Sequence, residues 1–226
     1  MEDSYSVNTT KFSLDKLRDA LKTKDILPGR KVLKEQLDER FDLFKSEGIE
    51  SLFDLLDALK SKIKIEQFAS KTGLDTDYLT ILRREANSYV SVPVRLIDLP
   101  IVETDTIMKL DFIGIRDSKQ LFIKAAQLSD REQLAVNYNI QIEALTELVQ
   151  LSDLIRITGV GPVFARIILD SGIGSVEEFL ANDPEDLFDR LTKTNNEKGL
   201  TKAKFTRKDI DYCIELGKDL PIVFER

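Results

Sequence analysis

The sequence predicts an all-α fold of tandem helical hairpin repeats preceded by an N-terminal helix. Three observations support this prediction: apolar residues recur at helical spacing along most of the chain, helix-starting patterns are frequent, and one glycine-centred joint occurs three times. Of the 226 residues, 42% are hydrophobic, and only 6 are proline and 10 glycine. The chain can therefore form a sizeable core and has few long loops.

Helix starts can be predicted because residues that cap helices precede several apolar stripes. Their side chains can accept hydrogen bonds from the free N–H groups of a first helical turn. Proline at the first helical position is compatible with the same geometry. The predicted starts are Ser13, Asp75, Ser129 with Glu132, Ser175 with Glu178, Asp183 with Pro184, and Thr206 with Asp209.

Three further segments complete the assignment. The apolar series that runs from Leu33 through Leu37 to Phe44 predicts one continuous helix. Residues 90–96 alternate apolar side chains around a proline, which fits an extended connector better than a strand. The last apolar stripe contains Cys213, which we expect in the core rather than at a reactive site.

The joint that recurs reads Gly-Ile-x-Ser or Gly-Ile-x-Asp, and its copies begin at Gly48, Gly114 and Gly172. We expect each glycine to end a helix in the left-handed conformation and each Ser or Asp to cap the next helix. The joints predict three units: residues 1–90, with the N-terminal helices and a first degenerate hairpin; residues 91–152, with a second; and residues 153–226, with a C-terminal hairpin. We expect the three units to pack as one body.

The composition excludes several classes of function. Because the chain has no histidine, Ser-His-Asp and Cys-His nucleophile systems, imidazole general bases and histidine metal sites are ruled out. The sequence contains no Walker-type loop and no carboxylate pair spaced for acid–base chemistry. We therefore expect a non-enzymatic protein without a cofactor or a metal ion. The net charge of −7 requires that any face for nucleic acid be local.

The expected cellular location follows from features that the sequence lacks. One cysteine permits no internal disulfide. The first twelve residues resemble no signal peptide, and no apolar run approaches the roughly 20 residues that cross a bilayer. We expect a cytoplasmic location and no membrane partner.

One motif has residues that could bind a ligand. Residues 157–173 read ITGVGPVFARIILDSGI and resemble the helix-hairpin-helix superfamily of DNA repair, recombination and replication proteins. The resemblance implies that two glycines turn the hairpin tightly and expose backbone N–H groups to a nucleic-acid phosphate, without reading base sequence. The matching residues are Ile157, Gly159, Val160, Gly161, Ala165, Ile168, Gly172 and Ile173.

The chain as a whole resembles an uncharacterised bacterial domain family with tandem helix-hairpin-helix units. That family carries no known activity. The segments that carry the resemblance are Ile26-Leu-Pro-Gly-Arg, Phe68-Ala-Ser-Lys-Thr-Gly-Leu, Leu82-Arg-Arg-Glu and the hairpin itself.

The three hairpins depart from the superfamily pattern to different degrees. The C-terminal hairpin has Val163 where binders often carry a basic residue, and its nearest cations are Arg156 and Arg166. The second hairpin has Ile101 and Glu103 in place of the two glycines. The first has Glu35 at the matching place and is predicted as plain helix. At most one hairpin is therefore competent to hold phosphate.

A basic stretch follows the C-terminal hairpin. Residues 190–208 contain seven cations and only one carboxylate, at Glu197. The stretch is either a basic loop beside the hairpin or a solvated flexible loop, broken by Asn195, Asn196 and Gly199. The solvated loop is the preferred interpretation.

Two functions remain open at this level. The first is a protein-interaction scaffold with an unknown protein partner, in which the hairpin glycines are structural. The alternative is binding of a DNA or RNA backbone. The acidic total and the two degenerate hairpins favour the scaffold. The residues that would carry the alternative are Gly159, Val160, Gly161, Arg166, Lys202 and Lys204.

Overall fold

The structure is a computed structural model that describes residues 4–24 and 28–225. Over these residues it is helical and contains no β-strand, so the all-α prediction is confirmed. Ile26 and Leu27 of the resembling segment lie outside the described residues. The α-helices are α1 (Leu14–Thr23), α2 (Leu37–Ser46), α3 (Leu52–Ala58), α4 (Lys62–Thr72), α5 (Thr76–Asn87), α6 (Thr104–Phe112), α7 (Ser118–Ala125), α8 (Leu128–Tyr138), α9 (Ile142–Leu154), α10 (Pro162–Asp170), α11 (Val176–Leu180), α12 (Pro184–Lys198) and α13 (Arg207–Gly217), with 3-10 helices at Pro28–Lys34 and Leu96–Asp98.

The described residues form two compact units. The N-terminal unit comprises residues 7–90 and contains α1 to α5. Helix α1 packs on α2, and both α3 and α4 pack on α5. Leu17, Phe41, Phe44, Leu55 and Leu82 are fully buried there. This core keeps the apolar faces of five short helices out of water.

The C-terminal unit comprises residues 4–6 and 91–225 and contains α6 to α13. Helix α9 lies at its centre and contacts α7, α8 and α10, while α12 packs on α10 and α13. Phe122, Leu151, Ile168 and Phe179 are among its fully buried residues. Both the second and the third predicted hairpins lie in this unit. Among the described residues of the whole chain, no helix is long and apolar enough to cross a membrane.

The three predicted joints are confirmed in detail. Gly48, Gly114 and Gly172 have φ of 81°, 84° and 89°, which is the left-handed region that favours glycine. In each joint the N–H of the following isoleucine donates to the carbonyl five residues earlier, which satisfies a free helix-end acceptor. The next helix is then capped by Ser51, Asp117 or Ser175.

Most predicted helix starts are confirmed as well. Ser13, Asp75 and Asp183 accept hydrogen bonds from first-turn N–H groups of α1, α5 and α12. Thr206 precedes α13 and donates to the Asp209 carboxylate through both its N–H and its hydroxyl. Residues 91–94 have no regular secondary structure, which is consistent with a connector.

Two predicted elements are wrong. The helix expected through Leu33 and Leu37 is broken by Gln36, whose φ is 47°, so the first hairpin is a 3-10 helix followed by α2. Leucines on either side of this break are both buried, and for that reason apolar spacing cannot reveal it. Helix α8 begins one residue before Ser129, and its Leu128 N–H donates to the Glu225 side chain instead.

The basic stretch is also largely helical. Helix α12 continues through Asn195 and Asn196 to Lys198, so the predicted loop is confined to residues 199–206. Gly199, with φ of 63°, ends the helix. The Asn195 side chain both donates to the Thr201 carbonyl and accepts from its N–H, which folds the following segment back.

Candidate binding groove beside the Gly159 hairpin

The hairpin between α9 and α10 is held by buried apolar residues. Ile157 and Val160 both point into the core of the C-terminal unit. The Val160 N–H donates to the Ile157 carbonyl at 3.0 Å, which closes the turn. Val160 is therefore part of the packing, and its N–H is already bonded within the protein.

The two hairpin glycines have different roles. Gly159 has φ of 96°, and a Cβ atom there would lie 3.0 Å from the Cys213 Sγ. Gly161 has an ordinary extended conformation, φ −86° and ψ 176°, and within the described residues nothing lies near its missing Cβ. The fold thus requires glycine at 159 but not at 161.

Gly161 leaves the start of α10 open. It is the N-cap, and among the residues described no side chain caps this helix. Gly159 and Gly161 are both exposed. Pro162 has no N–H, so the donors at this helix start are the backbone N–H groups of Gly161, Val163 and Phe164, and no side chain of the described residues caps them.

The arginine predicted to assist phosphate binding is engaged in the fold. Arg166 is only 8% exposed, and its guanidinium binds the carboxylates of Glu147 and Asp170 and the carbonyl of Ile101. Burial by itself lowers the pKa of Arg166, but the hydrogen bonds to Glu147 and Asp170 raise it overall. Its charge is compensated by two carboxylates, and the geometry does not favour a role at a ligand.

The other nearby arginine is structural too. Arg156 is 1% exposed and forms an ion pair with Asp153. Its guanidinium also donates to the carbonyls of Tyr5 and Pro221. These bonds connect both ends of the C-terminal unit's sequence to the turn that follows α9. A fully buried charge is tolerated only with such partners.

A groove opens next to the hairpin, between α10, residues 199–206 and α13. Its volume is about 410 Å³, and it is open to solvent. Its lining is mainly apolar: Val163, Phe164, Ile167, Phe205, Tyr212 and Cys213. The rings of Phe164 and Phe205 lie 5.1 Å apart, which is a favourable aromatic contact.

Charge is sparse in the groove. Lys204 and Asp209 are the charged residues that line it, one of each sign. Lys202 is exposed two residues away but does not line the groove. For neither lysine does the described chain show a carboxylate partner.

At least three of the five remaining cations of the basic stretch form ion pairs. Lys193 pairs with Glu197 at 4.0 Å, Lys198 pairs with Asp170 at 2.9 Å, and Arg207 pairs with Glu185. The stretch therefore offers far less free positive charge than its composition indicates.

Cys213 forms part of the groove floor as an apolar group. It is buried, as predicted. Burial, helped by the nearby Asp209 carboxylate, raises the pKa of Cys213 to about 12. The thiol stays protonated at neutral pH and is a weak nucleophile.

Sequence reasoning missed the aromatic wall of the groove. Phe164 of α10 and Phe205 of residues 199–206 line the groove, and Phe188 of α12, which does not line it, lies 6.0 Å from Phe205. No single-helix periodicity connects three such positions. The only indication in the sequence was that large aromatic residues occur close to the hairpin.

Comparison with known proteins identifies one relationship. A family model described as Domain of unknown function (DUF4332) matches residues 101–220, which lie within the C-terminal unit and include the second hairpin from Ile101 onward and the whole of the third. No curated protein and no solved structure matches the chain. The resemblance to the helix-hairpin-helix superfamily stays a prediction.

Proposed function

The chain belongs to the family of unknown function DUF4332, and from this premise we propose that it is a non-enzymatic protein-interaction scaffold whose groove beside the Gly159 hairpin receives an apolar segment of a partner protein. The observation that carries the proposal is the groove itself, with its aromatic and aliphatic lining. Sites that bury an apolar ligand combine such a lining with a few polar groups.

The lining fits a peptide better than a nucleic-acid backbone. A phosphate contact needs uncompensated cations, and the groove has one lysine and one aspartate. Val163 is 40% exposed at the position where a basic residue would strengthen a phosphate contact. An apolar side chain of a partner would instead cover Val163, Phe164 and Phe205 and remove them from water.

Polar groups at one end of the groove would orient the partner. Lys204 and Asp209 can bind a carbonyl or an opposite charge, and the open N–H groups at the start of α10 can bind a backbone carbonyl. The glycine at 159 serves mainly to let α13 pack closely against the hairpin.

The test is selection of binding peptides with the full chain. We expect a displayed library of random peptides to yield sequences rich in aromatic and aliphatic residues. Val163→Asp and Ala203→Asp place a carboxylate on exposed positions of the groove lining, so each should weaken the selected peptides by about tenfold or more.

Val92→Asp is the matched control, because Val92 is exposed on the connector and does not line the groove. It should leave peptide binding unchanged. Selection that enriches no peptide, or peptides that bind both groove variants as well as the wild type, would contradict the proposal.

A second candidate is sequence-independent binding of a nucleic-acid backbone by the Gly159-Val160-Gly161 hairpin. Its support is the open start of α10 together with Lys204, which lines the same groove as Gly159. With Lys202 and Lys204 alone, about two phosphates would be neutralised. The slope of log affinity against log salt would then be roughly −2.

Fluorescence anisotropy with duplex DNA, single-stranded DNA and RNA at low salt separates the two candidates. The nucleic-acid candidate requires salt-sensitive binding that the Lys202→Ala/Lys204→Ala double variant loses. Lys62→Ala, at an exposed lysine of α4, is the charge control. The scaffold proposal predicts no salt-sensitive binding to any of the three.

A further inference from the structure

Residues 221–225, which follow α13, lie against the corner between α7 and α8 in the C-terminal unit. We call this segment the strap. It has no regular secondary structure, and its backbone is bonded to the corner. The Val223 carbonyl accepts from the Gln127 side chain at 2.8 Å, and the Glu225 N–H donates to the Ala126 carbonyl at 2.9 Å. The corner thus holds the strap through its main chain, as a receptor holds an extended peptide.

Two side chains of the strap complete the contact. The Glu225 carboxylate accepts from the Leu128 N–H at 3.1 Å, at the start of α8. The Phe224 ring lies over the guanidinium of Arg131, with 5.1 Å between the ring centroid and Cζ. A cation over an aromatic face is a favourable contact. The corner therefore accommodates an aromatic residue followed by a carboxylate.

Arg131 is buried under the strap and lacks an anion in contact. It is only 1% exposed. Its Nη1 donates to the carbonyls of Ala125 and Ala126, at 3.1 and 3.4 Å, and its Nη2 donates to the Glu225 carbonyl at 2.8 Å. Among the described residues it forms no ion pair, and its Nε has no hydrogen-bond partner. Burial lowers the pKa of Arg131, against the effect of the Glu132 and Glu225 carboxylates. A buried cation without an anion is costly.

The empty Nε and the occupied Nη2 belong to the same side of the guanidinium, which matches the two oxygens of a carboxylate. Arg95 shows this geometry in the same chain, since its Nε and Nη2 donate to the two carboxylate oxygens of Asp98 at 2.9 and 2.8 Å. At Arg131 the strap supplies a single oxygen, because Glu225 is followed by Arg226 and its carbonyl belongs to a peptide bond. An α-carboxylate at that position would supply the second oxygen.

We propose that the corner between α7 and α8 binds the C-terminus of a partner protein, with an aromatic residue next to its last residue and its α-carboxylate on Arg131. The strap is an intramolecular ligand that occupies this site until the partner displaces it. Residues 218–220 join the strap to α13, so it competes at an effective concentration on the order of millimolar. Gln127, Leu128 and Arg131 do not line the groove, so this inference goes beyond the proposed function and is independent of it.

Fluorescence anisotropy with the full chain and a labelled peptide, Pro-Ile-Val-Phe-Glu, tests the inference. The peptide is made with a free C-terminal carboxylate and with a C-terminal amide. Phe224→Ala removes the ring of the strap from Arg131, so this variant should bind the free-acid peptide about threefold or more tighter than the wild type does. It should also prefer the free acid to the amide by about tenfold or more. Unspecific attraction to this acidic chain would favour the amide instead.

Three further variants serve as controls. Arg131→Lys keeps the charge but removes the second donor of the fork, so the preference for the free acid should fall below about threefold, with a thermal melt to check folding. Ile222→Ala, at an exposed residue of the strap, should bind like the wild type. Val163→Asp alters the groove and should leave this peptide unaffected, so the two proposals fail separately.

The decisive comparison needs no change at Arg131. Free-acid and amide peptides that bind the Phe224→Ala variant equally overturn the inference. Absence of binding by both peptides up to about 1 mM overturns it as well.

Discussion

Two hairpins of the C-terminal unit share one backbone turn and differ in the side chains that occupy it. Ile101 and Gly159 both have left-handed backbone, with φ of 56° and 96°, three residues before an α-helix begins. The N-cap is Glu103 in the first case and Gly161 in the second. Among the described residues, neither helix start has a side-chain cap, but the Glu103 carboxylate is present at the first and accepts the Thr106 hydroxyl at 2.6 Å, whereas Gly161 has no side chain.

An ion pair precedes each of the two turns, and the two pairs differ in how deeply they are buried. Arg95 and Asp98 precede the second hairpin and form an exposed ion pair. Asp153 and Arg156 precede the third at matching positions, with the charges exchanged, and form a buried ion pair. The same spacing thus gives a surface pair in one hairpin and a core pair in the other.

The comparison teaches why only one turn needs glycine. The Ile101 side chain projects into solvent, so its left-handed conformation carries backbone strain but no clash. At 159 the packing of α13 brings the Cys213 Sγ to 3.0 Å from where a Cβ atom would lie, so a side chain there would be both crowded and strained. The C-terminal hairpin is therefore specialised by its tertiary surroundings rather than by its backbone.

Breaking the ion pair that precedes each hairpin should give the largest difference between the hairpins in the free energy of unfolding. Asp153→Ala leaves the Arg156 charge buried without its carboxylate and should lower the free energy of unfolding by about 3–5 kcal/mol. Asp98→Ala should leave it unchanged within error, because its pair is solvated. Urea unfolding measures both, and equal losses in the two variants would remove the distinction.

The next effect separates the two glycines of the C-terminal hairpin. Gly159→Ala should cost about 1–3 kcal/mol, since the new Cβ meets Cys213 in a left-handed turn. Gly161→Ala, the control, should cost about 0.5 kcal/mol or less. In a Cys213→Ala background the Gly159→Ala loss should shrink. Thermal melts that show equal losses at both positions would contradict the assignment of roles.

The joints should behave alike in both repeats, unlike the hairpins. Gly114→Val and Gly172→Val should each destabilise the protein by about 1 kcal/mol or more, because a β-branched residue is strained in left-handed backbone. Neither site has a close steric neighbour, so the two losses should agree. A melt that Gly172→Val leaves unchanged would count against the joint.

The smallest effect is expected at Ile101. Ile101→Gly relieves about 1 kcal/mol of left-handed strain, and greater freedom of the unfolded chain offsets part of this gain. The net change should be a stabilisation below about 1 kcal/mol. Ile101→Ala keeps the strain and serves as the control. If Ile101→Gly is clearly destabilising, the turn does not carry the strain described here.

Local patterns predicted the fold well. The three glycine joints and most caps involve bonds between residues a few positions apart, so the sequence contains all their partners. The breaks at Gln36 and Ile101 were not predictable, because neither residue type favours left-handed backbone. Ser129 failed as a cap because the acceptor for α8 is Glu225, which is distant in sequence.

The candidate site was predicted less well, and for a physical reason. The sequence located the hairpin, but it could not show that Glu147 and Asp170 take up Arg166. It also could not bring Phe164 and Phe205 together, since they belong to different elements. The sequence shows which charged and aromatic residues are present, but which of them contact each other depends on the tertiary structure.

The most direct test of the central claim is amide NMR of the full chain with a set of small apolar and aromatic fragments. If the C-terminal hairpin opens into a binding groove and the second hairpin does not, fragments should shift the amides of Val163, Phe164, Phe205 and Tyr212. Those of residues 101–106 should stay in place. Fragments that leave the four groove amides unmoved, or that shift the second hairpin equally, would contradict the account.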